Sequence, residues 1–457
     1  MQTASRLTLQ ISVLALGIAG ALAMNPAHAS GFQLRENSVK NLGRSNAGSA
    51  VAKDDASVVT NNPAAMVNLD KTTVQIDATN INLDASFTGG GKAAAAFGPA
   101  APSLTGGNGG DPGRAQVVPA ISVVAPFGNF RVGASINAPF GLKTQYDADW
   151  VGRYNAIKSD VKTVDFTLSA AWAITPQFSL GAGVIAQRAD VTLSNAIDFG
   201  TALCAGSGNP ANCFNPAFPF HPQGADGSVE VKGNDNAYGW LFGAQWRVSD
   251  RFAVGYSHHS KIDHTLNGNA HFTKPASVEA TFGALGNTAF NDGAIYAPLT
   301  TPSIDTLSAR WDINSQFRLL GDIQRTGWNS LQNVTVYRSN GALLGPPEQF
   351  NWRNTTLISI GGEWVIDPAI TLRAGIAHDQ TPTSDATRTP RLPDNTRKLY
   401  SIGGTWTISD AFSIDAAYQR INIADPTINV ASSSGSRLTG KFTGHADLFG
   451  LSAQYRF

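Results

Sequence analysis

The stretch Tyr400-Ser-Ile-Gly-Gly-Thr-Trp406-Thr-Ile-Ser-Asp-Ala-Phe412 decides the fold, because its second half recurs along the chain. In each copy an aliphatic residue stands two positions after a tryptophan, a polar or proline-containing turn follows, and a large apolar residue stands six positions after the tryptophan. A sixth copy, at 124–130, keeps this frame without the tryptophan. Each copy is typical of a tight β-hairpin turn. The five tryptophans are Trp172, Trp246, Trp311, Trp364 and Trp406.

The strands that enter these turns alternate strictly between two faces. In 358–366 and 400–408 one face is apolar, and the other carries mainly Ser, Gly, Glu and Thr. A soluble sandwich alternates in the same way, but only a transmembrane barrel explains a recurring tryptophan, because lipid-facing indoles collect at the membrane interface. We therefore predict that the five tryptophans form an interface girdle facing outer membrane lipid. The polar residues predicted to line the lumen include Arg310, Arg318, Glu363 and Arg373.

Extending the alternation gives an all-β fold with fourteen strands, an even number, as single-chain bacterial barrels have. Six short turns alternate with seven long connections, which matches the short periplasmic turns and long external loops of outer membrane barrels. Residues 71–457 are thus predicted to form a 14-stranded antiparallel transmembrane β-barrel. The predicted strands are 72–87, 115–125, 130–139, 161–174, 178–191, 236–248, 252–266, 304–313, 317–328, 354–366, 370–378, 398–408, 412–423 and 446–457.

The first 29 residues have the features of a cleaved secretory signal. A positive charge at Arg6 precedes an apolar core and the small-x-small site Ala27-His28-Ala29. The alternative, a retained anchor, is disfavoured by this site and by the lack of a second hydrophobic segment. The longest nearly unbroken apolar stretch, 117–127, is shorter than the roughly 18 residues that a membrane helix needs. We expect a protein of the Gram-negative outer membrane.

Composition narrows the function classes. Only 14% of residues are charged, and 33 basic residues balance 33 acidic ones, which argues against nucleic acid as a partner. Two cysteines exclude a zinc-finger, iron–sulfur or disulfide-dense class. Because Cys204 and Cys213 lie in a Gly- and Pro-rich connection in an oxidising compartment, we predict a disulfide between them.

Residues 30–70 do not alternate, yet they carry apolar residues such as Phe32, Val58 and Met66 beside turn-forming glycines and Asn61-Asn62-Pro63. A 14-stranded barrel is wide enough for an aqueous lumen unless something fills it. About forty structured residues on the periplasmic side of the first strand would plug this lumen. We therefore predict an N-terminal hatch over 30–70.

Several motifs resemble the FadL-type family of long-chain fatty acid transporters, which also includes transporters of aromatic hydrocarbons. The N-terminal motifs are Ser30-Gly-Phe-Gln-Leu34, Asn41-Leu-Gly-Arg44, Ala47-Gly48, Asp54-Asp-Ala-Ser57 and Asn62-Pro63-Ala64. Later matches are Ala138-Pro-Phe-Gly-Leu142, Trp150-x-Gly-Arg-Tyr154, Arg373-Ala-Gly-Ile376 and Leu392-Pro-Asp394. The resemblance covers essentially the whole chain after the signal, and the hatch motifs are its most specific part.

The resemblance implies a transporter that takes hydrophobic molecules from an external groove to an internal pocket and releases them sideways at the third strand. By the same resemblance Phe32, Asn62, Pro63 and Ala64 contact ligand, and the C-terminal Phe457 is recognised by the barrel assembly machinery. No cofactor is implied, and a monomer is expected. Near the end of the fifth strand the chain departs from some relatives, which have a basic residue for a carboxylate headgroup where this chain has Ser194 and Asn195, with Arg188 nearby.

A lateral gate is predicted at Pro139, Phe140 and Gly141, because proline has no N–H for a neighbouring strand and so interrupts the ladder. The alternative is that Pro139 only ends the strand. The histidines His258, His259, His264 and His271 do not predict a metal site, because neighbouring strand residues point to opposite faces. The other function classes left open are uptake of uncharged aromatic hydrocarbons, a general diffusion porin, and an outer membrane lipid hydrolase, although no nucleophile and base set stands out and we expect no enzyme.

Overall fold

The computed structural model of the protein describes residues 31–457, so the predicted signal over 1–29 lies outside the described residues. Fourteen strands, here β1 to β14, surround a lumen, and β3, β7 and β8 each have two segments. In order they are Thr73–Lys92, Gln116–Phe127, Phe130–Asn137 with Gly141–Gln145, Lys158–Ala173, Phe178–Asp198, Asp226–Ser249, Phe252–His259 with Ile262–Thr273, Gly293–Thr301 with Ile304–Asp312, Phe317–Thr326, Thr355–Val365, Ile370–Asp379, Arg397–Thr407, Phe412–Ile423 and Arg437–Arg456.

Each strand pairs antiparallel with the next, and β14 returns to β1. The closing ladder runs from Thr73 opposite Arg456 to Lys92 opposite Arg437. Four shorter strands lie in or beside the long connections, at Asn333–Val334, Tyr337–Arg338, Glu348–Gln349 and Thr427–Ala431. The predicted closed barrel of fourteen antiparallel strands is confirmed.

Several strands extend further at their external ends than the alternation predicts. The largest differences are in β8, which begins at Gly293 rather than 304, and in β6, which begins at Asp226 rather than 236. The added part of β6, Asp226-Gly-Ser-Val-Glu-Val-Lys-Gly-Asn-Asp235, carries Asp, Ser, Glu, Lys and Asn on the outward face and mainly Gly and Val on the lumen face, the reverse of the membrane-spanning pattern. Such a segment stands outside the apolar band of a membrane barrel, so nothing selects for a lipid-facing side there.

Four of the five girdle tryptophans face outward and are about half exposed: Trp172, Trp246, Trp364 and Trp406, while Trp311 is half-buried. Each lies directly opposite the large apolar residue that begins the preceding strand. The pairs are Phe130 with Trp172, Phe178 with Trp246, Phe252 with Trp311, Phe317 with Trp364, and Ile370 with Trp406. The row therefore marks the end of the barrel that carries the short turns.

A second aromatic belt, which the sequence analysis did not identify, lies nearer the external loops. On β6 Trp240 stands six residues before Trp246, and on β12 Tyr400 stands six before Trp406, a span of roughly 20 Å along a strand. Tyr238 and Tyr256 also face outward. Two aromatic belts around an apolar band are typical of transmembrane barrels.

Residues 31–70, here called the hatch segment, lie inside the barrel and are almost entirely buried. The segment contains two short α-helices, α1 (Val39–Leu42) and α2 (Val58–Asn61), and the 3₁₀ turns Ser49–Val51 and Pro63–Asn68. Ser38 caps α1 by accepting a hydrogen bond from the N–H of Asn41. Within residues 31–457 no helix is long and apolar enough to cross a membrane.

The external connections form a cap with its own apolar core. The connection after β5 contains α3 (Phe199–Ala205) and the 3₁₀ turn Pro210–Phe214, and a disulfide joins Cys204 to Cys213 with their Cα atoms 5.0 Å apart. α4 (Ala276–Ala284) contributes Val278 and Phe282 to the same cluster. The disulfide thus joins two turns of one connection.

Candidate ligand pocket and hatch

Glycines on the lumen face of the barrel provide space for the hatch segment. A Cβ added to Gly243 would lie 1.8 Å from Oδ1 of Asn62, and one added to Gly375 would lie 2.2 Å from the carbonyl oxygen of Arg44. At six other wall glycines an added Cβ would lie within 3.0 Å of the hatch segment: Gly133, Gly181, Gly255, Gly361, Gly403 and Gly450. The polar face of the predicted strands therefore carries glycine where the hatch backbone needs to come close.

Asn62, Pro63 and Ala64 lie in this packing against β5 and β6 and do not line the cavity described below. The side chain of Asn62 accepts a hydrogen bond from the N–H of Ala64 and donates to the carbonyls of Ala50 and Ala244. Their ligand-contacting role, expected from the resemblance, stays a prediction; in this structure the three residues are buried between the hatch segment and the wall.

The predicted lumen residues Arg310, Arg318, Glu363 and Arg373 come together around the hatch segment. Glu363 accepts from three guanidinium groups: Arg44 of the hatch segment at 2.6 Å, Arg318 at 2.9 Å and Arg373 at 3.0 Å. Arg310 donates to the carbonyl of Val51 at 2.7 Å. Buried charges are tolerated only when paired and hydrogen-bonded, so this network holds the hatch segment to β8–β11.

Two buried acidic groups of the hatch segment have pKa values shifted in opposite directions. Burial raises the pKa of Glu36 despite the nearby charge of Arg35. Burial also acts to raise the pKa of Asp55, but the charge of Lys40 and hydrogen bonds from Ser38 and Ser57 outweigh it, so this pKa is lowered. Asp55 is therefore ionised and ties α1 to the turn before α2.

An apolar cavity lies between the hatch segment and the external cap. Its walls come from β3 to β8 and from the connections that follow β9 and β11. Its main apolar lining residues are Phe32, Leu142, Val161, Val191, Leu266, Leu299, Leu331, Phe350, Trp352 and Leu392. The polar residues in the lining are Ser159, Lys232, Glu348 and Arg391, and the side chain of Lys232 is turned outward to Glu230. A mainly apolar site with few convergent polar groups is the usual form of a small-molecule pocket.

Phe32 forms part of the cavity floor, as the resemblance implied. Its ring lies 4.8 Å from that of Trp328, 5.8 Å from that of Trp352 and 5.9 Å from that of Phe140. Because Phe140 belongs to the interrupted third strand, this aromatic cluster connects the cavity directly to the predicted lateral gate.

The third strand is interrupted at the predicted gate. Asn137, before the break, lies opposite Asp165 of β4, and Gly141, after it, lies opposite Lys162. The three residues 138–140 of β3 therefore face only two residues of β4, 163 and 164. The strand resumes at Gly141, so Pro139 lies within its course and not at its end. On the other side β3 pairs with β2 only up to Ile136, and the external part of β2 is paired with β1 alone.

The hatch segment occupies part of this break as a short extra strand. The N–H of Leu34 donates to the carbonyl of Pro139 at 2.8 Å, and the N–H of Gly141 donates to the carbonyl of Phe32 at 2.9 Å. The N–H of Phe140 is satisfied by the hydroxyl of Thr163. The backbone groups freed by the interruption are thus bonded to the hatch segment and to one side chain.

A basic group does reach Ser194 and Asn195, but it comes from another connection. Arg391 donates to Oδ1 of Asn195 at 3.1 Å and to the carbonyl of Ser194, and pairs with Glu348 at 3.0 Å. Arg188 instead pairs with Asp190 on the outer face. Arg391 directly precedes the Leu392-Pro-Asp394 motif, but nothing in that motif indicates which strand end it approaches.

The histidines form separate pairs with aspartates. His258 contacts Asp305, His264 contacts Asp235, and His271 contacts Asp292. His259 points to the opposite face from His258, toward the hatch segment at Thr60. Among residues 31–457 no group of metal-ligating side chains converges on one point.

Comparison with known proteins agrees with this architecture. A family model described as outer membrane protein transport protein (OMPP1/FadL/TodX) matches residues 20–457. A putative outer membrane protein of Neisseria meningitidis is 30% identical over 98% of this chain and 99% of its own length. The long-chain fatty acid transport protein of Escherichia coli strain K12 is 27% identical over 97% and 98%.

Solved structures give the same result. A FadL homologue from Pseudomonas aeruginosa superimposes with a TM-score of 0.85 at 29% identity, covering 94% of this chain and 100% of that one. The Pseudomonas putida toluene transporter TodX shares the fold, with a TM-score of 0.63 at 14% identity over 94% and 99%. Because the family model covers the chain almost from end to end, this protein belongs to the OMPP1/FadL/TodX family, whose members transport hydrophobic substrates across the outer membrane.

Proposed function

We propose that this protein imports long-chain fatty acids or similar amphipathic molecules by binding them in the apolar cavity and releasing them sideways at the β3 interruption. The observation that supports this most directly is the aromatic cluster of Phe32 and Phe140, which joins the cavity floor to the break in the wall. Release into lipid also avoids exposing apolar surface to water, which costs on the order of 25 cal/mol per Å².

The hatch segment makes release straight into the periplasm unfavourable. That route requires breaking the buried contacts of Glu363 with Arg44 and of Asp322 with Gly48 and Ser49. Removing one partner from a buried charge pair typically costs about 3–5 kcal/mol. The β3 route breaks the two backbone hydrogen bonds that join Phe32 and Leu34 to the third strand, and no buried ion pair.

Arg391 is the proposed headgroup residue. Its guanidinium lies at the cavity wall beside the polar Ser159, and a cargo carboxylate would compete with Glu348 for it. We expect Arg391→Gln to weaken palmitate binding to the purified protein about tenfold, since one hydrogen bond to a charged group is worth roughly 1.5–3 kcal/mol. Binding of the uncharged hexadecane should stay the same. Equal losses for both ligands would remove Arg391 from this role.

The second candidate cargo is an uncharged aromatic hydrocarbon. The aromatic lining of Phe32, Phe350 and Trp352 favours it, because edge-to-face ring contacts add to apolar burial. Uptake of radiolabelled palmitate and of toluene by cells in which this protein is the only importer decides between the two. Palmitate uptake without toluene uptake supports the fatty acid, and the reverse supports the hydrocarbon.

A further inference from the structure

The wall contains a second interruption, between β6 and β7. In the external segment of β7, the pairing with β6 ends at Asn267, which lies opposite Asn234. In the other segment, the pairing begins again at His259, which lies opposite Leu241. Residues 235–240 of β6 lie between these two ladders. The other edge of β6, by contrast, is paired with β5 without a break from Phe178 opposite Trp246 to Asp198 opposite Asp226.

Side chains replace ladder bonds across this second break. The carboxylate of Asp235 accepts from the backbone N–H of Thr265 at 3.2 Å, and the side chain of Asn267 donates to the carbonyl of the same residue at 2.8 Å. Below them, the hydroxyl of Ser260 accepts from the N–H of Trp240 at 3.0 Å, and the N–H of Ser260 donates to the carbonyl of Trp240 at 2.9 Å, a backbone bond between the two ladders. The backbone N–H and C=O of Thr265 on this side are therefore bonded to side chains and not to the backbone of β6.

Such substitution matters because every backbone polar group at membrane depth needs a partner. Trp240 and Tyr238 face outward at the second aromatic belt, so the break lies at the external edge of the apolar band. A ladder closed by side chains can open by rotamer changes. A ladder closed by backbone bonds cannot open without moving a strand.

The break also adjoins the apolar cavity. Val231 and Gly233 on β6 and Leu266 on β7 line the cavity at its edge. The space between the strands is filled by one apolar cluster in which Ile262 packs against Leu241 and Ala237. Apolar side chains, the side-chain hydrogen bonds of Asp235 and Ser260, and one backbone bond between Ser260 and Trp240 thus separate the cavity from the lipid at this point.

We propose that the wall between β6 and β7 is a second lateral opening, through which hydrophobic cargo passes between the cavity and the lipid. This inference rests on the proposed function, because it requires a cargo bound in the cavity. The β3 break has the hatch segment hydrogen-bonded into it, whereas this second break involves no residue of the hatch segment. The two openings act in parallel.

A disulfide across the second break tests the proposal. A Cβ on Gly239 would lie 2.7 Å from Cγ1 of Ile262, which brings the two Cβ positions close to the 3.5–4.5 Å that a disulfide needs. We expect oxidised Gly239→Cys/Ile262→Cys to take up palmitate at least twofold more slowly, to recover with reductant, and to bind palmitate normally when purified.

The matched control places a disulfide between the same two strands where they are fully paired. Ser228 and Thr273 lie opposite each other with their hydroxyls 2.5 Å apart, so Ser228→Cys/Thr273→Cys adds a cross-link without closing an opening. Equal uptake by the two oxidised proteins overturns the second opening. Failure of the reduced proteins and the wild type to take up palmitate overturns the proposed function instead.

A truncation provides an independent measurement if the cysteine pair does not assemble. Ile262→Ala shortens the side chain of the filling cluster that lies against Gly239, and it should raise the palmitate uptake rate at least twofold. The control, Leu307→Ala, shortens a lipid-facing side chain on β8 that lies away from the break. An uptake rate for Ile262→Ala that is no higher than that of Leu307→Ala counts against the proposal.

Discussion

The N–H of Gly141 donates a hydrogen bond of 2.9 Å to the carbonyl of Phe32, so the break in the barrel wall and the floor of the cavity share one bond. Whatever moves Phe32 therefore also frees a backbone donor at the break. Opening of the wall and displacement of an aromatic residue from the cavity are coupled events in this geometry. This coupling leads to the first prediction.

Locking the hatch segment to the third strand should slow release without preventing binding. A Cβ on Gly141 would lie 3.6 Å from Cγ of Leu34, so Leu34→Cys/Gly141→Cys holds these two elements together when oxidised. We expect palmitate uptake to fall at least twofold, while palmitate binding to the purified protein persists. Uptake should reach background when the Gly239→Cys/Ile262→Cys disulfide is added.

The control for this lock fixes the hatch segment elsewhere. The hydroxyls of Ser45 and Ser401 lie 2.7 Å apart, so Ser45→Cys/Ser401→Cys attaches the segment to β12 far from the break. Uptake by this oxidised protein should match the wild type. If both cross-links stop uptake equally, the whole hatch segment must move and the route at β3 is wrong.

Deleting residues 30–70 should leave an assembled barrel that conducts ions and no longer takes up palmitate selectively. The fourteen strands close through β1 and β14, and the cavity loses its floor at Phe32. Conductance in planar bilayers and palmitate uptake measure the two effects. Selective uptake without conductance would show that this segment does not plug the barrel.

Replacing one of the wall glycines with a larger residue should loosen the hatch segment and, like its deletion, allow ions to pass. Gly243→Val places its Cβ within 1.8 Å of Asn62, and overpacking of this kind typically costs about 1–3 kcal/mol. We expect open-channel events that the wild type lacks. Gly321→Val is the control, because that glycine faces outward with its nearest neighbour 3.4 Å away, and it should remain closed.

Acid should weaken the hold of the hatch segment through Asp55. A carboxyl group whose pKa is lowered in the folded protein stabilises it fully above the ordinary value, near 3.8, and this contribution is lost as pH falls through the lowered pKa. We expect conductance of the wild type to rise below about pH 4. Asp55→Asn should already conduct at pH 7 and change less with pH. An identical pH profile for both proteins would exclude Asp55.

The barrel could be predicted because its turns and its two faces are both marked by individual residue types at fixed spacings. A tryptophan six positions before an apolar residue fixes a turn, and alternation fixes the faces, so fourteen strands follow. The external ends of β6 and β8 could not be predicted, since residues beyond the membrane have no lipid to face. The second belt at Trp240 and Tyr400 was present in the sequence at the same six-residue spacing, on the other side of Trp246 and Trp406.

The candidate site was less predictable, because it depends on contacts between distant segments. Phe32 and Pro139 could be identified, one by resemblance and one by its missing N–H. The approach of Arg391 to Asn195 joins residues nearly two hundred positions apart, and no local pattern indicates it. The packing of Asn62 could not be predicted for the same reason, since only the neighbouring Gly243 reveals that its side chain is enclosed.

The rings at the turn end of the barrel have a consequence for assembly. Every Phe–Trp pair, such as Phe178 with Trp246, joins two strands whose only direct connection is a long external loop at the opposite end. A tight turn sets the register of its own hairpin, but a long loop leaves the register between hairpins undetermined. A slip of one residue would turn the tryptophan toward the lumen. The interface rings therefore also help to set the register of each hairpin against the next while the barrel closes.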